Sequence, residues 1–270
     1  CVTRFLGMFA FAIHERDTGR IILARDRFGI KPLYTAEVDN ALRFASSLPA
    51  LVKAGGIDTS IDRAALHNYM SFHAVVPPPR TIYNGVRKLP PATIRVYEAN
   101  GRFVDRIYWQ APYRRLPGDG ALRREEWQEQ LLDMLRVAVK RRMISDVPVG
   151  VLLSGGVDSS LIVGLLAEAG QAGLMSFSVG FEEANGEKGD EFFYSDLIAK
   201  HFGTEHHKIF VPSADLMDAL PGTIAAMSEP MVSYDNVGFY LLSKEVSKHI
   251  KVVQSGQGAD EVFGGYHWYP

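Results

Sequence analysis

The 270-residue sequence contains a single cysteine, so no internal disulfide framework can staple it, and a reducing, cytoplasmic setting is the expectation. No apolar run approaches the about 18–20 residues that a membrane-spanning helix requires. The N-terminal residues also lack the basic and then apolar segments of a secretory leader. Charge of neither sign prevails: a formal net charge of -2 offers no basic surface for nucleic acid or an acidic membrane. Also absent is any G-x-x-x-x-G-K-[ST] segment, so the lysine that Walker loops aim at the β- and γ-phosphates has no counterpart. What is present is ordinary globular composition, 47% hydrophobic and 22% charged, at a length that suits one large domain or two smaller ones. The partners to expect are small molecules, with neither nucleic acid nor membrane among them. A homodimer is compatible with the composition.

The cysteine is residue 1. Two readings of it stand open: a nucleophile whose own amine serves as base, or the first residue of a piece of a longer protein.

Along the chain, Phe9–Ile13 and Arg20–Ala24 read as two strands joined by a turn at Thr18-Gly19, and Leu42–Ala45 repeats the pattern after Asp39-Asn40. A helix is expected from Asp62. Pro77-Pro78-Pro79 and Pro90-Pro91 then interrupt regular structure, and Pro112 to Gly120 is again rich in breakers. The inter-domain connection is expected between these clusters, giving domains 1–110 and 111–270. Arg124–Arg142 has a helical apolar face. From Val147 the rhythm becomes strand, loop, helix. Val149–Leu153, Leu174–Phe181, His206–Val211 and Lys251–Gln254 read as strands, with helices over 158–169, 192–202, 214–227 and 237–249. Such alternation predicts an α/β domain with a parallel sheet, whose ligands sit at the carboxyl ends of the strands.

The most informative segment is Ser154-Gly155-Gly156-Val157-Asp158-Ser159-Ser160, which leaves a buried strand and opens a helix. A bare Gly-Gly pair would be a plain turn. Here the glycines let the backbone turn tightly and expose its N–H groups, and the helix N-terminus adds the positive end of its dipole. Ser154, Ser159 and Ser160 offer hydroxyl donors to phosphate oxygens. Asp158 would repel a phosphate directly and makes sense as a ligand of Mg²⁺ that itself holds the phosphates.

This heptapeptide resembles the pyrophosphate loop of the N-type ATP pyrophosphatases, which cleave ATP between its α- and β-phosphates. Residues 149–160 are similar to those of glutamine-dependent asparagine synthetases in particular. Ser176-Phe177-Ser178-Val179-Gly180-Phe181 resembles the strand that contacts adenosine in that family. Ser255-Gly256-Gln257-Gly258-Ala259-Asp260-Glu261-Val262-Phe263-Gly264-Gly265-Tyr266 resembles its second nucleotide loop. Gly7–Ile13, Ala24–Tyr34 and Phe44–Leu51 resemble the closing part of a class II glutaminase domain, so the likeness covers essentially the whole chain. The resemblance implies an α/β, parallel-sheet ATP-pyrophosphatase domain of the adenine nucleotide alpha-hydrolase type. It would be preceded by the C-terminal part of an Ntn-type glutaminase domain. ATP would be bound by Leu153, Ser154, Gly155, Gly156, Asp158, Ser159, Ser160, Val179, Ser255 and Gly256. Mg²⁺ would be held by Asp158 and Asp260, and Leu153 and Val179 would form an apolar wall for the base. Arg25 and Asp26 are expected to be a buried ion pair that braces a turn.

In that family the glutaminase nucleophile is an N-terminal cysteine well upstream of the segment matched by Gly7–Ile13. Cys1 stands too close to this segment to match it, which favours a truncated chain. A lysine that the family places beyond the second loop has no counterpart before Pro270, so truncation is expected at this end too. The implied activity is the activation of a carboxylate as an acyl-adenylate, with ATP, and its amidation by ammonia drawn from glutamine. Within the fold, the segment Glu229–Asn236 is similar to an N-acetylglutaminylglutamine amidotransferase branch, so the acceptor need not be aspartate. A nucleotide-binding pseudoenzyme is the rival of a different class, and the retained Ser154, Asp158 and Asp260 argue against it. Gln257 stands where the family has a glutamate thought to take a proton as ammonia attacks. Three readings stay open. Glu229 or Asp235 takes the proton, no protein base is needed, or the second half-reaction is lost.

Overall fold

The computed structural model describes residues 1–72, 75–112, 117–171, 173–182, 192–231, 233 and 235–267. The chain divides into two compact units. The first comprises Cys1–Arg115 with Ile224–Ser233, and the second Leu116–Thr223 with Tyr234–Pro270.

The first unit is antiparallel. Its elements are β1 (Ala10–Glu15), β2 (Arg20–Arg25), β3 (Tyr34–Val38), β4 (Ala41–Ala45), α1 (Leu48–Lys53), α2 (Arg63–Ser71), β5 (Arg87–Lys88), β6 (Thr93–Tyr97) and β7 (Phe103–Ile107). They form a four-stranded sheet in the order β1-β2-β6-β7 and a three-stranded sheet in the order β4-β3-β5. The β1–β2 hairpin expected from the apolar runs is present, as is the turn at Asp39-Asn40. Both residues of that turn have positive φ, 51° and 60°, which lets the right-twisted strands β3 and β4 meet without splaying. Helix α2 starts where the sequence implies, because Asp62 caps it by accepting from Ala64 N and Ala65 N at 2.9 and 3.1 Å.

Two findings depart from expectation. The β6–β7 hairpin lies between the proline clusters, where no strand was expected. Its alternation is plain in Thr93-Ile94-Arg95-Val96-Tyr97, with Thr93, Arg95 and Tyr97 buried, and Arg95 makes a two-pronged pair with Asp105 across the strands at 2.7 and 2.8 Å. Second, Arg25 and Asp26 brace their turn through the main chain and not through an ion pair with each other. Asp26 accepts from Phe9 N, Phe28 N, Ile30 N and Lys31 N. The Arg25 guanidinium donates to the carbonyls of Gly29, Lys31 and Leu89. A buried carboxylate ringed by amide donors and a buried guanidinium ringed by carbonyls satisfy each other's neighbours, so neither is free for chemistry.

The second unit is the α/β unit. It contains α3 (Arg124–Arg142), β8 (Val149–Leu152), α4 (Val157–Glu168), β9 (Met175–Phe181), α5 (Phe192–Phe202), β10 (Glu205–Val211), α6 (Ser213–Ala226), α7 (Asp235–Val246), β11 (Val252–Gln254) and α8 (Ala259–Phe263). The sheet runs β10-β9-β8-β11 and every pairing in it is parallel. Alternate residues face opposite layers. Val151 and Leu153 join Val163, Leu166 and Ala199 in one core cluster, packed by α4, α5 and partly buried residues of α3. Phe177 points the other way, onto Leu242, Val246 and Ile250. Burial on both faces explains why β8 is a continuous apolar run. Among the described residues no helix is long and apolar enough to cross a membrane.

Candidate active site

Strands β8 and β11 are parallel neighbours, so the loops at their carboxyl ends adjoin. The contact is close. A Cβ on Gly256 would lie 3.0 Å from Asp158 Cβ and 3.2 Å from Ser159 N, so the second loop touches the opening turn of α4 with its backbone. Gly155 is tighter still. It has φ of 90°, and a Cβ there would come within 2.5 Å of Tyr194 Cβ and 2.7 Å of Ser195 N, so α5 is a wall against which the first loop turns.

Around these loops opens a cavity of about 300 Å³. Of the residues singled out in the sequence, Leu153, Ser154, Gly156, Asp158, Ser159, Val179, Ser255, Gly256, Gln257 and Asp260 line it. Gly155 and Ser160 do not; Gly155 shapes the turn, and the Ser160 hydroxyl is buried without a hydrogen-bond partner. The loop's own polar groups engage one another. The Gly156 N–H donates to Ser154 Oγ at 3.2 Å, the Ser154 and Ser159 hydroxyls lie 3.0 Å apart, and Ser159 Oγ donates to the Gly156 carbonyl. In the second loop the Gln257 N–H donates to Ser255 Oγ at 3.3 Å. Asp260 lies in the first turn of α8, where Gly265 closes over it: a Cβ at 265 would sit 2.0 Å from Asp260 Oδ1.

Sequence reasoning missed Phe192 and Phe239, and quoted Ser178 only as part of the strand that resembles the family's adenosine contact; all three line the cavity. Phe192 opens α5 and Phe239 belongs to α7, and each sits in an amphipathic helix whose periodicity reads as core. Only the knowledge that both residues come to the same cavity would have singled them out.

Asp158 and Asp260 bring two hard oxygen donors to one cavity, with serine hydroxyls beside them. Among the described residues no group of three or more His, Cys, Asp or Glu could hold an ion by itself. A pair of carboxylates that leaves the remaining positions to water and phosphate oxygens is the donor set that suits Mg²⁺. The residues present therefore fit that ion.

Glu229, one of the two carboxylates considered as a base, is committed elsewhere. It belongs to the first unit, where Tyr34 Oη donates to its Oε1 at 2.9 Å and Lys88 Nζ pairs with its Oε2 at 2.9 Å.

A family model described as asparagine synthase matches residues 130–270, and one described as a glutamine amidotransferase domain matches residues 1–109. Asparagine synthetase [glutamine-hydrolyzing] 1 of Bacillus subtilis is 34% identical over 267 residues, 99% of this chain and 41% of the relative. A putative asparagine synthetase of Methanocaldococcus jannaschii is 35% identical over 270 residues, 98% of this chain and 51% of the relative. The chain thus spans about half or less of the length of these curated relatives. Among solved structures, an NH3-dependent NAD synthetase from Campylobacter jejuni matches with a TM-score of 0.34 and 19% identity, over 54% of this chain and 61% of that one. With the asparagine synthase model covering more than half of its residues, the chain belongs to the asparagine synthase family.

Proposed function

We propose that this chain carries the nucleotide site of a glutamine-dependent amidotransferase that activates a carboxylate as an acyl-adenylate and converts it to an amide. The observation that carries the reading is the meeting of two glycine-rich strand-end loops, Asp158 and Asp260 in one cavity with an apolar wall. In this reading residues 111–270 handle ATP and residues 1–110 belong to the glutamine-handling half. The substrates are glutamine, ATP and an acceptor carboxylate, and the setting is cytoplasmic.

ATP enters with its base against Leu153 and Val179, and its phosphates reach the loop at the N-terminus of α4, where the helix dipole and loop N–H groups favour anions. Ser154 and Ser159 turn their hydroxyls from one another to phosphate oxygens, and Ser255 offers its own from the second loop. Asp158 and Asp260 would hold Mg²⁺, which would supply positive charge to offset that of the departing pyrophosphate. An oxygen of the acceptor carboxylate attacks the α-phosphorus. An O–P bond forms, the bond to the bridging oxygen of the β-phosphate breaks, and pyrophosphate departs. Backbone N–H groups of both loops meet the charge that develops on the α-phosphate oxygens. Ammonia then adds to the acyl carbon, AMP leaves, and one proton is released.

Gln257 lines the cavity where the proton would be lost, and its amide can orient a group but not act as a base near neutral pH. Glu229 pairs with Lys88 and Tyr34; we favour the reading in which neutral ammonia attacks without a base on the second loop, beside the two others, in which Glu229 or Asp235 takes the proton or the second half-reaction is lost. Gln257 then bears on which acceptor is taken.

Calorimetry with Mg²⁺ present tests the nucleotide site. Asp158→Asn is expected to lose most of the ATP affinity, at least about tenfold, since it removes one charged ligand. Equal affinity in the variant and the parent would refute the assignment.

A further inference from the structure

His206 is not part of the cavity, yet it touches both supports of the first loop. It lies on β10 opposite Ser176 of β9, and its imidazole reaches two serines on that strand. Nδ1 is 2.8 Å from Ser176 Oγ, and Nε2 is 3.3 Å from Ser178 Oγ. Ser178 Oγ in turn donates to the carbonyl of Leu153, the residue from which the loop departs. On its other side the ring approaches α5, where Asp196 Oδ1 is 3.8 Å from Nε2 and Asp196 Oδ2 pairs with Lys208 at 2.9 Å. Residues 194 and 195, just before Asp196, are the ones that Gly155 turns against. One side chain thus meets the strand end before the loop and the helix that backs it.

The directions of these hydrogen bonds can be worked out. Ser178 has one hydroxyl proton, and its tight contact with the Leu153 carbonyl uses it. The Ser178 oxygen must then accept from His206, so Nε2 carries hydrogen. Nδ1 is left as acceptor from Ser176, whose oxygen accepts in turn from Thr204 at 2.7 Å. The chain of donors runs from Thr204 through Ser176, His206 and Ser178 to the Leu153 carbonyl, and every member is satisfied.

We propose that His206, as the neutral Nε2–H tautomer, is a positioning residue for nucleotide binding: through Ser178 it fixes the Leu153 carbonyl, from which the first loop departs. This rests on the nucleotide site proposed above. Burial is the largest influence on the ring and pushes its pKa down; Asp196 and the main chain of Ser176 oppose that shift, and Lys208 and His207 add to it. The neutral form is therefore the working one near neutral pH.

Two measurements test this on the whole chain. Long-range ¹H–¹⁵N NMR of the nucleotide-free protein reads the tautomer directly, whether or not ATP binds. Nε2–H is expected, and Nδ1–H or a charged ring at pH 7 overturns the proposal. Calorimetry with Mg·ATP then compares His206→Gln, whose amide nitrogen reaches the position of Nε2, with His206→Asn, whose amide does not. Affinity is expected to fall about tenfold in His206→Asn and to stay within about threefold in His206→Gln. Ser178→Ala should match the Asn variant, and the double variant should lose no more than either alone. Equal losses in Gln and Asn variants, or additive losses in the double variant, contradict the proposal. If His206→Asn does not fold, the tautomer in the parent and the affinity of Ser178→Ala decide. A parent that shows the Nε2–H tautomer and binds no ATP refutes the nucleotide site, leaving the hydrogen-bond assignment intact.

Discussion

Gly155 shows how one residue can be required twice, by its own backbone and by its neighbour. Its φ of 90° already disfavours a side chain, and the space a Cβ would occupy is filled by Tyr194 and Ser195. Gly155→Ala is therefore expected to destabilise the second unit by about 2–4 kcal/mol, from the left-handed conformation and the overpacking together. It should weaken ATP binding as well, because relief can come only by moving the loop or α5. Denaturant melts beside calorimetry check both, and an alanine variant as stable as the parent would show that the turn is not as tight as drawn. Gln257 tests chemistry where Gly155 tests shape. In the intact enzyme Gln257→Glu is expected to leave adenylate formation within about threefold, since the amide does not hold ATP, and to alter acceptor preference or the pH profile of amide formation. If the parent accumulates adenylate without amide when ammonia is supplied, and the Glu variant makes amide, then the parent lacks the second half-reaction. The loop residues were legible in the sequence because glycine, serine and aspartate at a strand-to-helix turn are constrained by local chemistry. Phe192, Phe239 and His206 were not, since their significance comes from strands and helices meeting far along the chain.

The parallel sheet was readable element by element, because apolar runs buried on both faces and amphipathic helices have different periods. The β6–β7 hairpin was not, although its alternation is as regular as any in the chain; prolines on either side drew the reading toward irregular structure. The β9–β10 pair carries a further consequence. His206 has its pKa pushed below the ordinary value of 6.5 in the folded protein, chiefly by burial. The folded form then binds fewer protons than the unfolded chain. Its contribution to stability is full above about pH 6.5 and is lost as pH falls from there through the lower folded value. Urea melts from pH 8 to 5 are expected to show this decline, with a smaller slope in His206→Gln, which has no proton to gain. The same slope in the variant would mean that other groups carry the acid sensitivity.

At the scale of the whole molecule, neither unit is one continuous stretch of sequence. Residues 224–233 group with the first unit, while the chain before and after them belongs to the second. Glu229, inside that return, is fastened by Lys88 and Tyr34, and burial with the nearby Glu229 charge raises the Tyr34 phenol well above its usual range. Nothing in the spacing of Glu229-Pro230 announces such a return, since its partners are more than a hundred residues away in sequence. Both family models match within this one chain, and the proposed activation turns on which bond of one nucleotide breaks. The most direct measurement is ³¹P NMR of the intact enzyme turning over with Mg·ATP, ammonia and a panel of amino-acid carboxylates. Activation as an acyl-adenylate predicts AMP and pyrophosphate in equal amounts, dependent on one of the carboxylates and absent in Asp158→Asn. Formation of ADP and inorganic phosphate instead would contradict it.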